Sequence, residues 1–300
     1  MDQTERRKFL GSSDAAAVLG LSRWTTPLEL WAKKTGEVEY PDDPSLAKTL
    51  GVRLEEVVAE LFTEKTGLKV RRVNTPRVHP DYPFLSAQID REVVGDDSIL
   101  ECKTANSFKT KEWAEDEIPQ EYIVQVNHQL AVTGKRKAYI ACLIGNHQFV
   151  SKVIERDEAL LKSLVEKEVE FWTKYVVPKV MPGIITARDS DVLNRLFPDA
   201  QPGNLLDLGD EITRLIEQRN ASIQDVKIVE ENIDRIENQI KAALRENEAG
   251  VAGKFLIQWK NQVQSRLDQA RLKTEQPDLY GKFQTEVKFR KLSIREVKRG

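Results

Sequence analysis

The apolar residues change period early in the chain, and that change limits the folds open to it. Between 46 and 66, Leu50, Leu54, Val57, Val58, Leu61 and Phe62 recur three and four apart, the spacing of one helix face, and Gly67 supplies a stop. The segments that follow, 68–78, 84–94 and 98–104, are short, rich in β-branched residues and separated by turn formers. Gly95-Asp96-Asp97 reads as a hairpin connection. Helical spacing returns from Pro119 through Ile123, Val126, Leu130 and Val132 to Gly134. Two strands, 138–144 and 148–154, are joined at Gly145-Asn146, and a helix runs from 157 to 175. Near the start, Ser12-Ser13-Asp14 precedes an apolar run that ends at Gly20, a short helix with Ser13 as its N-cap. Residues 27–34 read as a second short helix. This order predicts a mixed α/β domain over residues 1–180.

Pro178, Pro182, Pro198 and Pro202 punctuate a linker over 181–207. Beyond it, 208–300 reads as a helical arm and a basic segment. Ile223, Val226, Val229, Ile233, Ile236, Ile240 and Leu244 fall three or four apart, as in a helical hairpin or short coiled coil. Parts of the tail, 254–259 and 282–292, look β-like. From 254 to 300 there are 12 Lys and Arg against 5 Asp and Glu, a local excess of 12 − 5 = +7.

The whole chain carries a net charge of −2, which argues against a protein that merely coats nucleic acid. Two cysteines, Cys102 and Cys142, cannot build a disulfide framework or a four-cysteine metal site, and they read as buried small hydrophobes. No apolar run is long enough to cross a membrane and the first residues lack a signal-peptide core, so the expected location is the cytoplasm of a bacterial host cell. No phosphate-binding Gly-x-x-x-x-Gly-Lys loop is present, which excludes that kind of ATP-driven role.

The chemistry concentrates at Leu100-Glu101-Cys102-Lys103. On a strand, Glu101 and Lys103 face the same side, and Asp90 lies eleven positions upstream, near the hairpin partner of this strand. Two carboxylates meeting across a hairpin make an oxygen-rich site for a hard divalent cation, and a lysine beside them can orient or deprotonate a water. Glu55 on the long helix is a candidate third acid; the bland alternative is a surface pair with Arg53 or Lys65. The bland reading of the whole pattern is a solvated strand face with a Glu–Lys pair.

The sequence resembles the YqaJ-like viral recombinases, relatives of phage lambda exonuclease within the PD-(D/E)xK nuclease superfamily. The resemblance rests on 11–20 (Gly-Ser-Ser-Asp-Ala-Ala-Ala-Val-Leu-Gly), Thr26-Pro27-Leu28-Glu29-Leu30-Trp31, and Gly51 with Glu55. It continues through His79-Pro80, Tyr82-Pro83-Phe84, Asp90 and Glu101-x-Lys103 to Tyr122-x-x-Gln125-Val126-x-His128-Gln129-Leu130. It implies a restriction-endonuclease-like α/β core with a mixed central sheet flanked by helices. It also implies Asp90, Glu101, Glu55 and the main-chain carbonyl of Cys102 around Mg²⁺ or Mn²⁺, two ions per site. Lys103 would be the catalytic lysine and Gln125 a supporting glutamine. Ser13 with Arg6 or Arg7 would hold a DNA 5′-phosphate, and a helix N-terminus beside Arg6-Arg7-Lys8 suits an anion on physical grounds as well.

The implied activity is 5′-to-3′ digestion of double-stranded DNA ends for recombination by strand annealing. A single-strand annealing protein is the implied partner and a trimer the implied assembly. A structure-specific or nicking endonuclease, or a non-catalytic end-binding scaffold, are the alternatives. One departure stands out: relatives commonly carry Pro-Asp-Gly where this chain has Ile89-Asp90-Arg91, and Arg91 is expected to pair with Glu92 or another surface acid. His128 is expected at the surface or half buried, and Trp24, Trp31, Trp113 and Trp172 in or partly in the core, with stacking on a base the alternative for Trp24.

Overall fold

The helical spacing over 46–66 gives a helix with those bounds, and strand spacing gives strands immediately after it. The structure, a computed structural model, describes residues 3–40, 45–184 and 186–297. The chain divides into two compact units, Met1–Pro198 and Asp199–Gly300. The first unit begins with α1 (Gln3–Arg6), β1 (Leu10–Gly11), α2 (Ser12–Val18), α3 (Pro27–Thr35) and α4 (Leu46–Thr66). Strands β2 (Val70–Arg72), β3 (Arg77–Val78), β4 (Leu85–Ala87), β5 (Arg91–Val93) and β6 (Ser98–Ala105) follow. A 3₁₀ segment, Ser107–Trp113, leads to α5 (Gln120–Thr133), β7 (Lys137–Ile144), β8 (Gln148–Glu155), α6 (Glu158–Phe171) and α7 (Ser190–Leu196).

Local chemistry sets most of these ends. The Thr26 hydroxyl accepts from Glu29 N at the start of α3, and the Asp157 carboxylate accepts from the Ala159 and Leu160 amides at the start of α6. Helix α5 stops at Gly134, whose φ of 71° lies in the left-handed region that a side chain disfavours.

Five strands form the main sheet in the order β2-β5-β6-β7-β8, with β6 and β7 parallel and the other pairs antiparallel. Strand alternation sorts the side chains onto two faces. Ile99, Ile140, Cys142 and Ile144 meet Val126 and Leu130 of α5 on one face. Leu100, Ala141 and Tyr139 meet Val58, Ala59 and Phe62 of α4 on the other. Each large apolar side chain buried this way contributes about 1.5–3 kcal/mol. A second sheet, β1-β4-β3, pairs β1 parallel to β4 and packs with α3 in a separate apolar cluster around Leu10, Leu28, Trp31 and Leu85.

Three expectations are corrected here. The runs over 68–78 and 84–94 are not single strands, since each supplies one strand to each sheet. The break in the second run falls at 88–90, so Asp90 stands at the crossing rather than within a strand. The segment read as linker contains α7, which buries Val192 in the first unit's core, and the division between units falls at Pro198. Ser13 is not the N-cap of α2: Gly11 holds that position, and the Asp14 carboxylate accepts from its amide at 2.9 Å.

In the second unit, α8 (Gly209–Leu244) is one unbroken helix of 36 residues, about 54 Å long, rather than a hairpin. Strands β9 (Ala249–Ala252) and β10 (Phe255–Gln258) form a two-stranded antiparallel ribbon, so Gly250 is paired in a strand. Two short helices follow, α9 (Gln269–Glu275) and α10 (Pro277–Lys282). The strand expected over 282–292 does not form, and residues 298–300 of the basic tail lie outside the described residues.

Candidate active site

Glu101 and Lys103 share the face of β6 that α5 covers, so their side chains meet side chains from that helix. Lys103 Nζ lies 2.7 Å from Glu101 Oε1 and donates to Gln125 Oε1 at 3.0 Å. The Gln125 amide in turn donates to Glu101 Oε1 at 2.5 Å. One helical turn on, Gln129 donates to the second oxygen of Glu101 at 2.6 Å. Burial works against the Lys103 charge, but the charge of Glu101 and its hydrogen bond outweigh burial and raise the lysine pKa. Lys103 is therefore held as an ammonium. Its Nζ also sits 4.8 Å above the Tyr122 ring, a cation–π contact.

Asp90 reaches this group from the crossing between the sheets, where its Oδ2 accepts from Cys102 N at 2.8 Å. Burial, followed by the nearby Glu101 charge, pushes the Asp90 carboxyl well above the usual carboxylate range. Two carboxylates that repel in a buried setting, with Gln129 Oε1 buried beside them without a hydrogen-bond partner, are a donor set that a hard divalent cation would relieve. The residues present fit such an ion.

Glu55 stands differently from the other two acids. The register sets Arg91 opposite Leu100, on the α4 face of the sheet, and there Arg91 binds Glu55 and reaches Glu56 at 2.8 Å. Arg91 is thus buried between two acids of α4 and is not paired with Glu92, which bonds Arg71 and Arg77 instead. Among the described residues no three His, Cys, Asp or Glu side chains gather into a ready metal cage. The Cys102 side chain lies with the α4 face, and burial raises its thiol pKa far above the ordinary value.

A cleft of about 480 Å³ connects these acids to the N-terminal segment. Its wall carries Asp90, Glu101 and Gln125 together with Arg6, Ser13, Asp14 and Lys34. Arg7 is not on the wall, because its guanidinium lies against Gly36, where even a Cβ would come within 2.8 Å of it.

Lys34, Gln129 and Tyr122 complete the site and were not singled out for it from the sequence. Lys34 is largely buried and bonds Asp14 at 2.6 Å and the carbonyls of Arg6 and Phe9 at 2.9 and 2.7 Å, tying α3 to the segment before α2. Its signal was a charge placed three residues after Trp31 on an otherwise buried helix face. Gln129 carried a signal in its four-residue spacing from Gln125. His128 departs from its expected place. It is fully buried, with Nδ1 2.7 Å from Glu168 Oε1 and Nε2 3.0 Å from the Ser86 carbonyl. Both ring nitrogens face acceptors, and although burial opposes its charge, Glu168 and these hydrogen bonds raise its pKa.

Known proteins place this geometry in context. A family model for the YqaJ-like viral recombinase domain matches residues 3–136. The uncharacterized protein YqaJ of Bacillus subtilis (strain 168) is 39% identical over 296 residues, 98% of this chain and 93% of that one. Among solved structures, an alkaline exonuclease, LHK-Exo, from Laribacter hongkongensis superposes with a TM-score of 0.50 at 20% identity, covering 59% of this chain and 91% of that one. LHK-Exo in complex with dAMP also superposes at 0.50, with 22% identity and coverage of 64% and 94%. The chain has the PD-(D/E)xK fold of these structures, and 39% identity over nearly its full length to the Bacillus relative makes it a member of the YqaJ-like viral recombinase family.

Proposed function

We propose that the protein is a divalent-metal-dependent exonuclease that digests double-stranded DNA ends in the 5′-to-3′ direction and leaves single strands for annealing. The observation that carries this reading is one cleft whose wall holds the carboxylates of Asp90 and Glu101 together with Arg6 and Ser13. A scissile phosphate and a terminal phosphate are the groups that such a mixture of acids and cation would bind.

Asp90, Glu101 and the Cys102 carbonyl would hold Mg²⁺ or Mn²⁺, with Glu55 joining when it shares its carboxylate with Arg91. When bound, two such ions supply positive charge for the attacking and leaving oxygens of the phosphodiester. Lys103, bonded to Glu101 and Gln125, donates to the attacking water or to a phosphate oxygen. Gln125 bonds both Lys103 and Glu101 and fixes their relative position. Arg6 and Ser13 bind the 5′-phosphate, with Lys34 holding the backbone that carries Arg6. A single-strand annealing protein and a trimeric assembly belong to the same proposal, and they rest on the family alone.

The test is digestion of a linear duplex with one labelled, 5′-phosphorylated end, beside a circular duplex, with Mg²⁺ or EDTA. Metal-dependent release of mononucleotides from the linear substrate only is expected, and Lys103→Ala should lower the rate about 10²- to 10⁴-fold. Cleavage of the circle would replace the reading with an endonuclease. Retention in a gel shift without release would replace it with an end-binding scaffold.

A further inference from the structure

The loop between α2 and α3 is held by several hydrogen bonds, yet it leaves a large aromatic side chain in solvent, one ring removed from the candidate catalytic lysine. The Ser22 hydroxyl accepts from the Trp24 and Thr25 amides, both at 3.2 Å. Arg188 donates to the carbonyls of Ser22 and Arg23 at 3.0 and 2.6 Å. Arg23 is pinned by Glu112 at 2.7 Å and Glu121 at 2.9 Å. Residues 22, 23 and 25 are tied down, while Trp24, expected in or partly in the core, is 63% exposed.

Its ring is the outer member of a series. Trp113, in the core, stacks on Tyr122 with centroids 5.7 Å apart, and Tyr122 lies 6.2 Å from Trp24. Lys103 Nζ rests on the middle ring. Aromatic rings thus lead from the core past the lysine to an indole that is mostly exposed. An exposed tryptophan on a braced loop costs hydrophobic free energy until something flat and apolar lies on it.

We propose that Trp24 is a stacking platform for a nucleobase of the strand being cut, which it takes from the end of the duplex and holds next to the scissile phosphate. A base is the occupant that suits the place: it has two apolar faces, it arrives attached to the phosphate that Lys103 serves, and stacking needs no particular sequence. The assignment rests on the nuclease reading for its substrate, but its principal test does not need cleavage.

Duplexes carrying 5-iododeoxyuridine at the first or second nucleotide of either strand end are bound to the full-length protein in EDTA, irradiated, and the adducts mapped by mass spectrometry. Photochemical coupling through a stacked ring should mark Trp24 at one of these positions and disappear in Trp24→Ala. Adducts only at other residues, or none, would overturn the proposal. In parallel, Trp24→Ala should raise KM for the linear duplex about tenfold with kcat little changed, and Trp24→Phe should recover most of it, with melting temperatures near wild type. Equal KM in wild type and Trp24→Ala would count against it equally. A wild-type protein that binds DNA, couples at Trp24 and digests nothing would keep the platform and remove the exonuclease.

Discussion

The two units solve the problem of burying apolar surface in opposite ways. In the first, both faces of the main sheet are covered by helices, and charged or polar groups such as Arg91, Glu101, His128 and Glu168 are carried inside on specific partners. In the second, Leu244 alone is buried among the described residues, while Leu215, Val226, Val229, Ile233 and Ile236 of α8 stay exposed along one helix. Hydrophobic spacing alone therefore does not make a core, because a helix face is stabilised only by what lies against it. The polar network around Lys103 is fixed because the first unit has an interior to fix it in.

The contrast can be broken in three places. Phe62→Ala, in the cluster under α4, should cost about 3–5 kcal/mol in denaturant unfolding of the first unit, the loss expected for a buried aromatic that leaves a cavity. A loss below about 1 kcal/mol would mean that this interior is looser than its packing implies. The second test is pH. The raised pKa of His128 gives the folded state a contribution that is complete below the unfolded value of 6.5 and fades as pH rises through the folded value. The melting temperature of wild type relative to His128→Gln should therefore be highest near pH 6 and shrink toward pH 9; a difference that grew with pH would reverse the assignment of charge. The smallest effect belongs to α8: Ile233→Ser should change stability by no more than about 0.5 kcal/mol. A loss of 2 kcal/mol there would reveal that another surface covers the helix in solution.

Much of the first unit was legible because its signals are local. Leu46–Thr66 followed from apolar spacing with Gly67 as a stop, and the shared side of Glu101 and Lys103 followed from strand alternation. What escaped was set by distant partners. Nothing near Leu10 announces a two-residue strand, because its ladder partner is Leu85. Arg91 looked like a surface residue because its partners, Glu55 and Glu56, are 36 and 35 positions away on the helix that covers its side of the sheet. His128 looked half exposed because Glu168 lies 40 positions on. Glu55 was readable as a candidate third acid on the long helix, but not its bond to Arg91, which lies 36 positions on.

The hairpin that joins β5 to β6 also bears on how such sites can be recognised in other chains. Its strands are in register with Arg91 opposite Leu100, and its turn lies outside that register. Residues added at the turn would lengthen the interval between Asp90 and Glu101 while leaving both carboxylates where they are. One residue added between Glu101 and Lys103 would rotate the lysine to the face occupied by Cys102 and separate it from Gln125. A search for distant relatives should therefore let the first gap vary freely and hold the second at a single residue.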